Sequence, residues 1–294
     1  MKIIFLYLVT IIIWGSTWIG IKYQLGSVDP MVSVIYRFTL SSLILMAFCK
    51  VKGLSLKFSL REHGYMALTG ILLFSLNYWL VYISEVYLTS GLVAVLFSSI
   101  VFLNMVNGAF FLKVPIKRQM IWGAVLGTLG IILIFMPEIQ SFDADNMGLM
   151  GIAFGIASVT LASFGNISSA RNSLNNIPVV QANAFGMGYG AILLWLIAMG
   201  MGKEFSFVAT PAYVGSLFYL AIFGTIIGFG SYLTLIGDIG PDKAAYTIMV
   251  VPVVALVISS FFEGYAWNLP AMVGLFLVLS GNFLALYKGR DSKA

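Results

Sequence analysis

The sequence predicts an all-α membrane protein in which ten transmembrane helices form two inverted five-helix repeats. Three observations predict this class. The composition is 60% hydrophobic and only 9% charged, apolar runs follow one another along the chain, and the second half reads as a degenerate copy of the first. Soluble globular domains carry about 25% charged residues. The composition therefore excludes a soluble globular protein.

Ten apolar windows fill most of the 294 residues. A helix that spans the hydrocarbon core needs about 20 mostly apolar residues. The windows are 3–22, 31–50, 64–84, 88–111, 119–136, 147–170, 178–200, 212–236, 244–262 and 270–287. They are continuous rather than alternating in polarity, which argues against membrane β-strands. Helices are favoured because each satisfies its own backbone hydrogen bonds in lipid.

The first window follows Lys2 and has the general look of a signal peptide. It lacks an Ala-x-Ala-like cleavage site and carries Trp14 and Trp18, so we interpret it as the first membrane helix.

Basic residues indicate the orientation, because Lys and Arg concentrate in cytoplasmic loops. In a ten-helix arrangement one side holds Lys2, Lys50, Lys52, Lys57, Arg61, Lys113, Lys117, Arg118, Arg171, Lys243, Lys288, Arg290 and Lys293. The other side holds Lys203 and Lys22 together with Asp29, Glu138, Asp143, Asp145, Glu204 and Glu263. We therefore expect a multi-pass protein of the cell inner (plasma) membrane with both termini in the cytoplasm.

A shift of about 150 residues aligns the two halves. It places Trp14 on Phe164 and Tyr82 on Tyr232, and the collinear order of such matches indicates an internal repeat. Five helices per half is an odd number, so the second half enters the membrane from the opposite side. Inverted repeats place a transporter's substrate site near the midplane between the halves. The alternative is an ancient duplication without a transport role.

The repeat predicts the domain organisation. We expect a first five-helix repeat at 1–137, an acidic periplasmic linker at 138–146 and a second five-helix repeat at 147–294.

Several motifs resemble one known family. Trp14-Gly15-Ser16-Thr17, then Asp29-Pro30 and Arg37, are similar to an EamA-type permease of the drug/metabolite transporter superfamily, and residues 85–91 resemble its YedA-like branch. The mid-helix Pro252 also fits the family pattern. The resemblance implies ten helices, cytoplasmic termini and movement of small metabolites or amphipathic drugs. It leaves the identity of the substrate open.

The first half departs from the family pattern at two positions. Phe102 stands where the family often has proline, and Lys113 where it often has glutamate. We therefore expect the fourth helix to be straighter than the ninth.

Arg37 is the first candidate site residue. It lies about 9 Å inside the second helix at 1.5 Å per residue, and charged groups within a span usually face the bundle interior or a water-filled path. It could hold a substrate carboxylate or phosphate, or pair with Glu85 at the outer end of the third helix. The pair would either fix the two helices together or let Glu85 couple proton uptake to transport. Arg37 could instead cap backbone carbonyls.

Further candidates lie on the third and first helices. Asn77, Tyr78 and Tyr82 share a broad face with Glu85. That face would offer amide, hydroxyl and aromatic contacts, although tyrosines also populate interfacial belts. Trp14, with Trp18 one turn on, would form a wall for a ring or a cation, or would pack against a neighbouring helix.

The second half contributes further candidates. Asn166, Asn183 and Tyr246 are the polar groups nearest the centres of helices six, seven and nine, although small amides also join helices. Met249 would be a flexible cavity wall. Pro252 removes a backbone hydrogen bond and predicts a hinge.

No catalytic, metal-ligating or nucleotide-binding motif is evident, and the only histidine, His63, sits in a basic cytoplasmic loop. We expect no enzymatic activity, no cofactor and no metal. Scattered basic residues also argue against nucleic acid as a partner. The expected partners are a small-molecule substrate, the lipid bilayer and protons if transport is coupled to them. The protein would be a monomer or a homodimer.

The favoured function is secondary active transport by alternating access, with export of an amino acid, a related compound or an amphipathic drug. One alternative is uptake of a vitamin, nucleobase or other metabolite. The other is a membrane-embedded lipid-modifying enzyme, for which only Glu85, Glu263 and His63 could serve.

Overall fold

The computed structural model describes residues 1–24, 28–88, 90–140, 142, 146–262 and 267–286. All regular secondary structure in these ranges is helical, as an all-α membrane protein requires. Trp18 belongs to the first helix, but its side chain lies outside the described part of the structure.

The helical segments of the described ranges overlap the predicted windows in order, and we label them α1 to α10. They are α1 (Lys2–Lys22), α2 (Pro30–Val51), α3 (Leu60–Tyr87), α4 (Ser90–Ser98 and Ile100–Leu112), α5 (Arg118–Ile134), α6 (Asn146–Leu174), α7 (Val179–Gly200), α8 (Pro211–Ile239), α9 (Pro241–Ala244 and Tyr246–Phe262) and α10 (Leu269–Leu286). A five-residue helix, Met136–Gln140, follows α5.

Eight segments of the described chain are long and apolar enough to cross a membrane, and they lie in α2, α3, α4, α6, α7, α8, α9 and α10. The other two predicted spans appear as shorter apolar helices, Lys2–Thr17 within α1 and Arg118–Ile134. The structure thus describes a multi-pass membrane protein, and ten spans remain a prediction.

Local sequence signals fix where several helices begin. Asp29 caps α2 by accepting a hydrogen bond from Met31 N at 2.9 Å, and Pro30 follows at the first helical position. Ser59 and Glu62 form a reciprocal capping box at the start of α3. Because of this capping box, α3 begins at Leu60, before the predicted window, which begins at residue 64. His63 therefore lies in the first turn of a helix rather than in a loop, and its Nδ1 is 2.9 Å from the Tyr189 hydroxyl of α7.

Glycines allow the closest helix contacts. A Cβ placed on Gly123 of α5 would lie 2.6 Å from the Gly281 carbonyl oxygen of α10, and one on Gly130 would lie 2.6 Å from that of Gly274. A Cβ on Gly70 of α3 would overlap the backbone of Gly186 in α7. Backbone-to-backbone approach of this kind is typical of small residues in membrane helices.

Two helices change their backbone geometry near their centres. In α3 the segment Leu72–Leu76 is π-helical, and in α8 the segment Leu220–Ile227 is π-helical. Single π-helical turns inside α-helices occur frequently at functional sites. Leu73 of the first segment lines the cavity described below.

Both α4 and α9 are interrupted, so the expectation that the fourth helix is straighter than the ninth stays a prediction. The helix α4 is interrupted at Ser99, whereas the main segment of α9 continues through Pro252 and is interrupted earlier, at Ala245. The hydroxyls of Ser98 and Ser99 donate to the carbonyls of Val95 and Leu96, at 2.7 and 2.6 Å. Serine hydroxyls that bond locally to the backbone compete with the helical pattern and bend helices.

Two ion pairs join helix ends in the arrangement that the charge distribution predicts. Lys2 at the start of α1 pairs with Asp238 near the end of α8 at 2.9 Å. Lys203, after α7, pairs with Asp29, before α2, at 2.8 Å. The second pair joins two residues that the sequence analysis assigns to the outer side of the membrane.

Candidate functional site

A cavity of about 150 Å³, the central cavity, lies between the two halves of the chain. Seven helices contribute to its lining: α1, α2, α3, α4, α6, α8 and α9. The predicted site residues that line it are Trp14, Arg37, Asn77, Tyr78, Tyr82, Glu85, Asn166 and Pro252. Most of the remaining wall is apolar.

Arg37 projects from α2 into this cavity and is only 2% exposed. Its Nε donates to the Thr225 hydroxyl at 2.7 Å, and its Cζ lies 5.1 Å from the centre of the Tyr78 ring. Its Nη1 is buried and has no hydrogen-bond partner within the described chain. Thr225 therefore fixes one edge of the guanidinium, and a second nitrogen stays available to an occupant of the cavity.

The direct pair of Arg37 with Glu85 is not formed in this conformation. Over the described residues, no carboxylate oxygen lies within 4.0 Å of the guanidinium nitrogens, and Glu85 Oε1 is buried without a hydrogen-bond partner. Both residues nevertheless line the same cavity. The basic and the acidic group thus share a site but are not paired with each other.

The helix α8 positions the side chains that reach the cavity from α1 and α2. The Trp14 indole Nε1 donates to the Gly224 carbonyl at 3.0 Å. A Cβ on Gly224 would lie 3.2 Å from Arg37 Nη2, and one on Gly228 would lie 2.5 Å from Trp14 Nε1. The two glycines therefore make room for the two side chains, and both lie in or directly after the π-helical segment.

Aromatic rings form one wall of the central cavity. The Trp14 ring centre lies 5.0 Å from those of Phe229 and Tyr232, both on α8. Phe229 also lies 6.0 Å from Tyr78. These separations fall in the range of favourable edge-to-face contacts. Trp14 thus packs against α8 and also lines the cavity.

Four buried polar atoms on the cavity lining have no hydrogen-bond partner in the described structure. They are Arg37 Nη1, Tyr82 Oη, Glu85 Oε1 and Asn166 Oδ1. An unpaired buried polar group costs about 1–3 kcal/mol, and more when it is charged. A group of four along one cavity is consistent with a polar ligand.

Asn77 has a different environment. Its Nδ2 donates to the Leu73 carbonyl at 3.3 Å, and its Oδ1 accepts a hydrogen bond from the Ser158 hydroxyl of α6 at 2.7 Å. Asn77 lines the cavity, but its amide is already used to join α3 to α6.

Two polar contacts join helices that line the cavity. Asn166 of α6 donates to the Tyr232 hydroxyl of α8 at 3.1 Å. Asn104 of α4 donates to the Pro241 carbonyl at the start of α9 at 3.0 Å. The first contact joins α6 to α8 and the second joins α4 to α9, and we call the two contacts the polar floor.

Three predicted site residues lie away from the central cavity. Tyr246 donates its hydroxyl to the Met120 carbonyl of α5, and Met249 packs on Gly127 of the same helix. On α9 the cavity is lined instead by Ile248, Val251 and Pro252, which occupy another face of the helix.

Asn183 is buried in α7, a helix that contributes no residue to the described lining. Its depth in the span was thus a poor guide to its position around the bundle.

Pro252 lies within α9 and lines the cavity beside Ile248. Since proline has no N–H, the Ile248 carbonyl lacks its usual partner four residues on. The helix remains continuous through this position. A hinge at Pro252 remains a prediction.

Sequence reasoning missed the residues of α8. Phe229 and Tyr232 line the cavity, and Thr225 holds Arg37. Two signals were present, since Tyr232 aligns with Tyr82 in the repeat, and Gly224 and Gly228 have small-residue spacing. Thr225 carries no comparable signal, because a lone threonine in an apolar run is common.

No group of three or more His, Cys, Asp or Glu side chains is placed to hold a metal ion in the described ranges. Among the lining residues that the structure describes, the titratable ones are Arg37, Glu85, Tyr78, Tyr82 and Tyr232. This set can bind and orient a polar solute.

Comparison with known proteins gives consistent matches over the whole chain. The model of the EamA-like transporter family matches twice, at residues 1–136 and 149–287. The uncharacterized inner membrane transporter YedA of Escherichia coli strain K12 is 30% identical over 259 residues, 86% of this chain and 80% of the relative. An uncharacterized transporter of Clostridium kluyveri is 26% identical over 277 residues, 92% of this chain and 88% of the relative.

A solved crystal structure of a protein superposes on this chain with a TM-score of 0.78. The superposed region covers 96% of this chain and 95% of the chain in the solved structure, at 16% sequence identity. The likeness concerns the fold.

Proposed function

Because the chain belongs to the EamA-like transporter family, we propose that it is a secondary transporter that alternates access to the central cavity. The transporter relatives establish a multi-pass membrane transporter and not an enzyme, which removes the lipid-modifying alternative. The proposed substrate is a small metabolite or amphipathic drug, with an amino acid or related compound as the leading version. The inner membrane is the proposed location, as it is for YedA.

The unpaired Nη1 of Arg37 is the observation that carries this proposal. A permanently charged group is costly in a membrane span, and such residues commonly mark substrate or ion pathways. The guanidinium lies in a cavity between the halves, with Thr225 as its hydrogen-bond acceptor and no carboxylate within 4.0 Å in the described structure. An anionic group of the substrate would complete its hydrogen bonding.

Helix packing supports an inverted repeat with ten membrane helices. The helix α2 packs on α7, and α5 packs on α10. In addition α1 contacts α8 and α9, as α6 contacts α3 and α4. If each helix of the first half is exchanged with the helix in the same position of the second half, the same set of contacts results. The doubled family match and the π-helical segments in both α3 and α8 agree with repeats at 1–137 and 147–294 joined by a linker at 138–146.

The residues that line the cavity support an outward-facing conformation. Its lining includes Ile21, Glu85 and Val93, which lie near helix ends that the charge distribution assigns to the outer side. The polar floor lies towards the opposite side. Transport would then require the floor to open and the outer ends to close, with Pro252 as the proposed hinge.

Export is the direction that we favour, and uptake of a vitamin, nucleobase or other metabolite is the alternative. Glu85 is the proposed coupling residue, because its carboxylate lines the cavity near the outer end and Oε1 has no partner within the described chain. Protonation of Glu85 would change the charge of the site.

Transport in proteoliposomes tests the proposal. The purified protein is screened by thermal stabilisation against amino acids, nucleobases, vitamins, quaternary amines and phosphorylated sugars. Solutes that stabilise it are then tested for counterflow. We expect saturable flux that Arg37→Ala abolishes and that Arg61→Ala, a charge change outside the cavity, leaves intact. No flux of any stabilising solute, or wild-type flux in Arg37→Ala, would contradict the proposed role of the cavity.

A further inference from the structure

We propose that a groove between α1 and α8, the lateral groove, binds one acyl chain of a phospholipid in the outer leaflet. The groove has a volume of about 580 Å³. Its described lining consists of Ser16, Gly20 and Tyr23 of α1 and of Ala212, Gly215, Ser216 and Tyr219 of α8. The described linings of this groove and of the central cavity share no residue. The lateral groove is therefore a second site, and its ligand is not the transported substrate.

The lateral groove lies at the depth of one leaflet. Helix α1 ends at Lys22 and α8 begins at Pro211, two helix ends that the sequence analysis assigns to the outer side. Ser16 precedes the end of α1 by six residues, and Tyr219 follows the start of α8 by eight. At 1.5 Å per residue the groove therefore reaches about 9 to 12 Å inwards. One leaflet contributes about 15 Å of hydrocarbon, so a lipid chain can run along the whole groove.

The outer surface beside the groove is apolar, as a surface in contact with lipid should be. Phe218 and Phe223 of α8 are 48% and 45% exposed. The Tyr219 ring stacks on Phe223, with ring centres 5.4 Å apart. The lateral groove is thus continuous with the surface that a multi-pass membrane protein presents to the bilayer, and acyl chains are the molecules that meet this surface.

The polar groups of the lining indicate a hydrocarbon ligand. The Ser16 and Tyr219 hydroxyls are hydrogen-bonded to each other at 2.6 Å, and the Ser216 hydroxyl donates to the Tyr213 carbonyl at 2.9 Å. In the described structure no lining residue of the lateral groove has a buried polar side-chain atom without a partner. A polar solute would lose its hydration there and gain no partner. An acyl chain loses nothing.

Small residues create the space for the chain. A Cβ on Gly215 would meet nothing within 4 Å, whereas a Cβ on Gly20 would lie 3.0 Å from Leu220 Cδ2. Gly20 therefore lets α1 approach α8, and Gly215 borders the open part of the groove. An empty groove would deprive its walls of dispersion contacts. A chain that enters it restores these contacts on several sides at once, which the convex surface of a single helix cannot offer.

Tyr23 marks the end of the groove that faces the lipid headgroups. It directly follows the last residue of α1, and it is 57% exposed. Tyrosines at helix ends are typical of the membrane–water interface. A phospholipid with one chain in the lateral groove would place its ester groups beside the Tyr23 ring. The ligand is therefore a whole lipid with its headgroup at the outer surface.

Photocrosslinking tests the proposal. The purified full-length protein is reconstituted into vesicles of phosphatidylethanolamine and phosphatidylglycerol, with a small fraction of phosphatidylethanolamine that carries a diazirine in one acyl chain. Mass spectrometry then locates the labelled residues. The exposed apolar face of α10 around Met272 and Phe276 is the reference for ordinary lipid contact. We expect labelling per exposed residue at 16–23 and 212–219 to exceed that of the reference by at least about threefold.

A variant that fills the lateral groove should remove this excess. In Gly215→Phe the added ring occupies the open space, so labelling at 16–23 and 212–219 should fall to the level of α10 while the melting temperature stays unchanged. Gly230→Phe is the matched control, because it places the same ring on α8 at another position where a Cβ meets nothing within 4 Å. It should keep the wild-type labelling. If Gly215→Phe does not fold, Ala212→Leu fills the same groove with a smaller group.

Three results would overturn the proposal. Equal labelling of the lateral groove and of α10 would mean that only ordinary, unselective lipid contacts exist. An excess that survives in the folded groove-filling variants would place the bound chain elsewhere. Absence of label from the groove, together with a dimer in detergent that Gly215→Phe dissociates, would show that a second copy of the chain covers it. Each result leaves the transport function of the central cavity to be judged by flux.

Discussion

Arg37 is held at its Nε by the Thr225 hydroxyl, 2.7 Å away, on a helix from the other half of the chain. The contact is buried within the bundle. Its acceptor lies in the π-helical segment of α8, next to Gly224, which leaves room for the guanidinium. The orientation of the charged group thus depends on both halves at once.

Thr225→Val should weaken substrate binding without unfolding the protein. Valine keeps the shape of threonine and removes the acceptor for Arg37 Nε, which leaves the charged group free to rotate. We expect KM to rise about tenfold, the cost of one hydrogen bond to a charged group, while kcat changes less. Counterflow in proteoliposomes measures both constants. Thr225→Ser keeps a hydroxyl and should restore most of the affinity, and a Ser variant as impaired as Val would contradict a role through the hydrogen bond.

Gly228→Ala should displace Trp14 from the cavity wall. The added Cβ would lie 2.5 Å from the indole Nε1, so the ring has to move and lose its hydrogen bond to the Gly224 carbonyl. Overpacking of this kind costs about 1–3 kcal/mol. We expect a lower melting temperature and altered tryptophan fluorescence. Gly230→Ala is the control, because a Cβ there meets nothing within 4 Å and alanine favours the helix. Equal effects of both variants would show that the Trp14 contact is unimportant.

Gly70→Ala should disrupt the packing of α3 on α7. A Cβ at Gly70 would overlap the backbone of Gly186, which cannot be relieved by a side-chain rotation. We expect loss of the monodisperse peak in detergent size-exclusion chromatography. Gly64→Ala, six residues earlier on α3, has open space around its Cβ and should behave as wild type. A stable Gly70→Ala protein would contradict the close approach of α3 and α7.

Pro252→Ala tests the proposed hinge. Alanine supplies the N–H that would bond the Ile248 carbonyl and stiffen α9. We expect slower turnover with near-normal binding, measured by counterflow rate and by equilibrium binding on the same preparation. Val253→Ala is the control, because it shortens a side chain beside Pro252 and leaves the proline in place. Unchanged turnover in Pro252→Ala would indicate a passive irregularity.

The helical fold was predictable because hydrophobicity over about 20 residues is a strong signal that depends on local sequence alone. Capping residues such as Asp29 and Ser59 then set the helix starts. The interruption of α4 at Ser99 was missed, because a serine bonds to its own backbone or to a neighbour depending on packing.

The site was predictable only in part. Arg37 and Glu85 stood out since charge is rare in membrane spans, and both line the cavity. The sequence indicated the depth of Tyr246 and Met249 in the span but not their position around the helix, and both contact α5. Thr225 was missed because its role arises from a contact 188 residues away in the chain.

Because α8 orients the Arg37 and Trp14 side chains, a change in α8 should alter the substrate preference of related permeases. The Arg37 and Trp14 side chains, from the first half of the chain, receive their orientation from Thr225, Gly224 and Gly228 of the second half. We expect a chimera of residues 1–137 of this protein with the second half of a relative to keep Arg37 but to lose its alignment. Exchange of one half alone should therefore fail to transfer substrate preference.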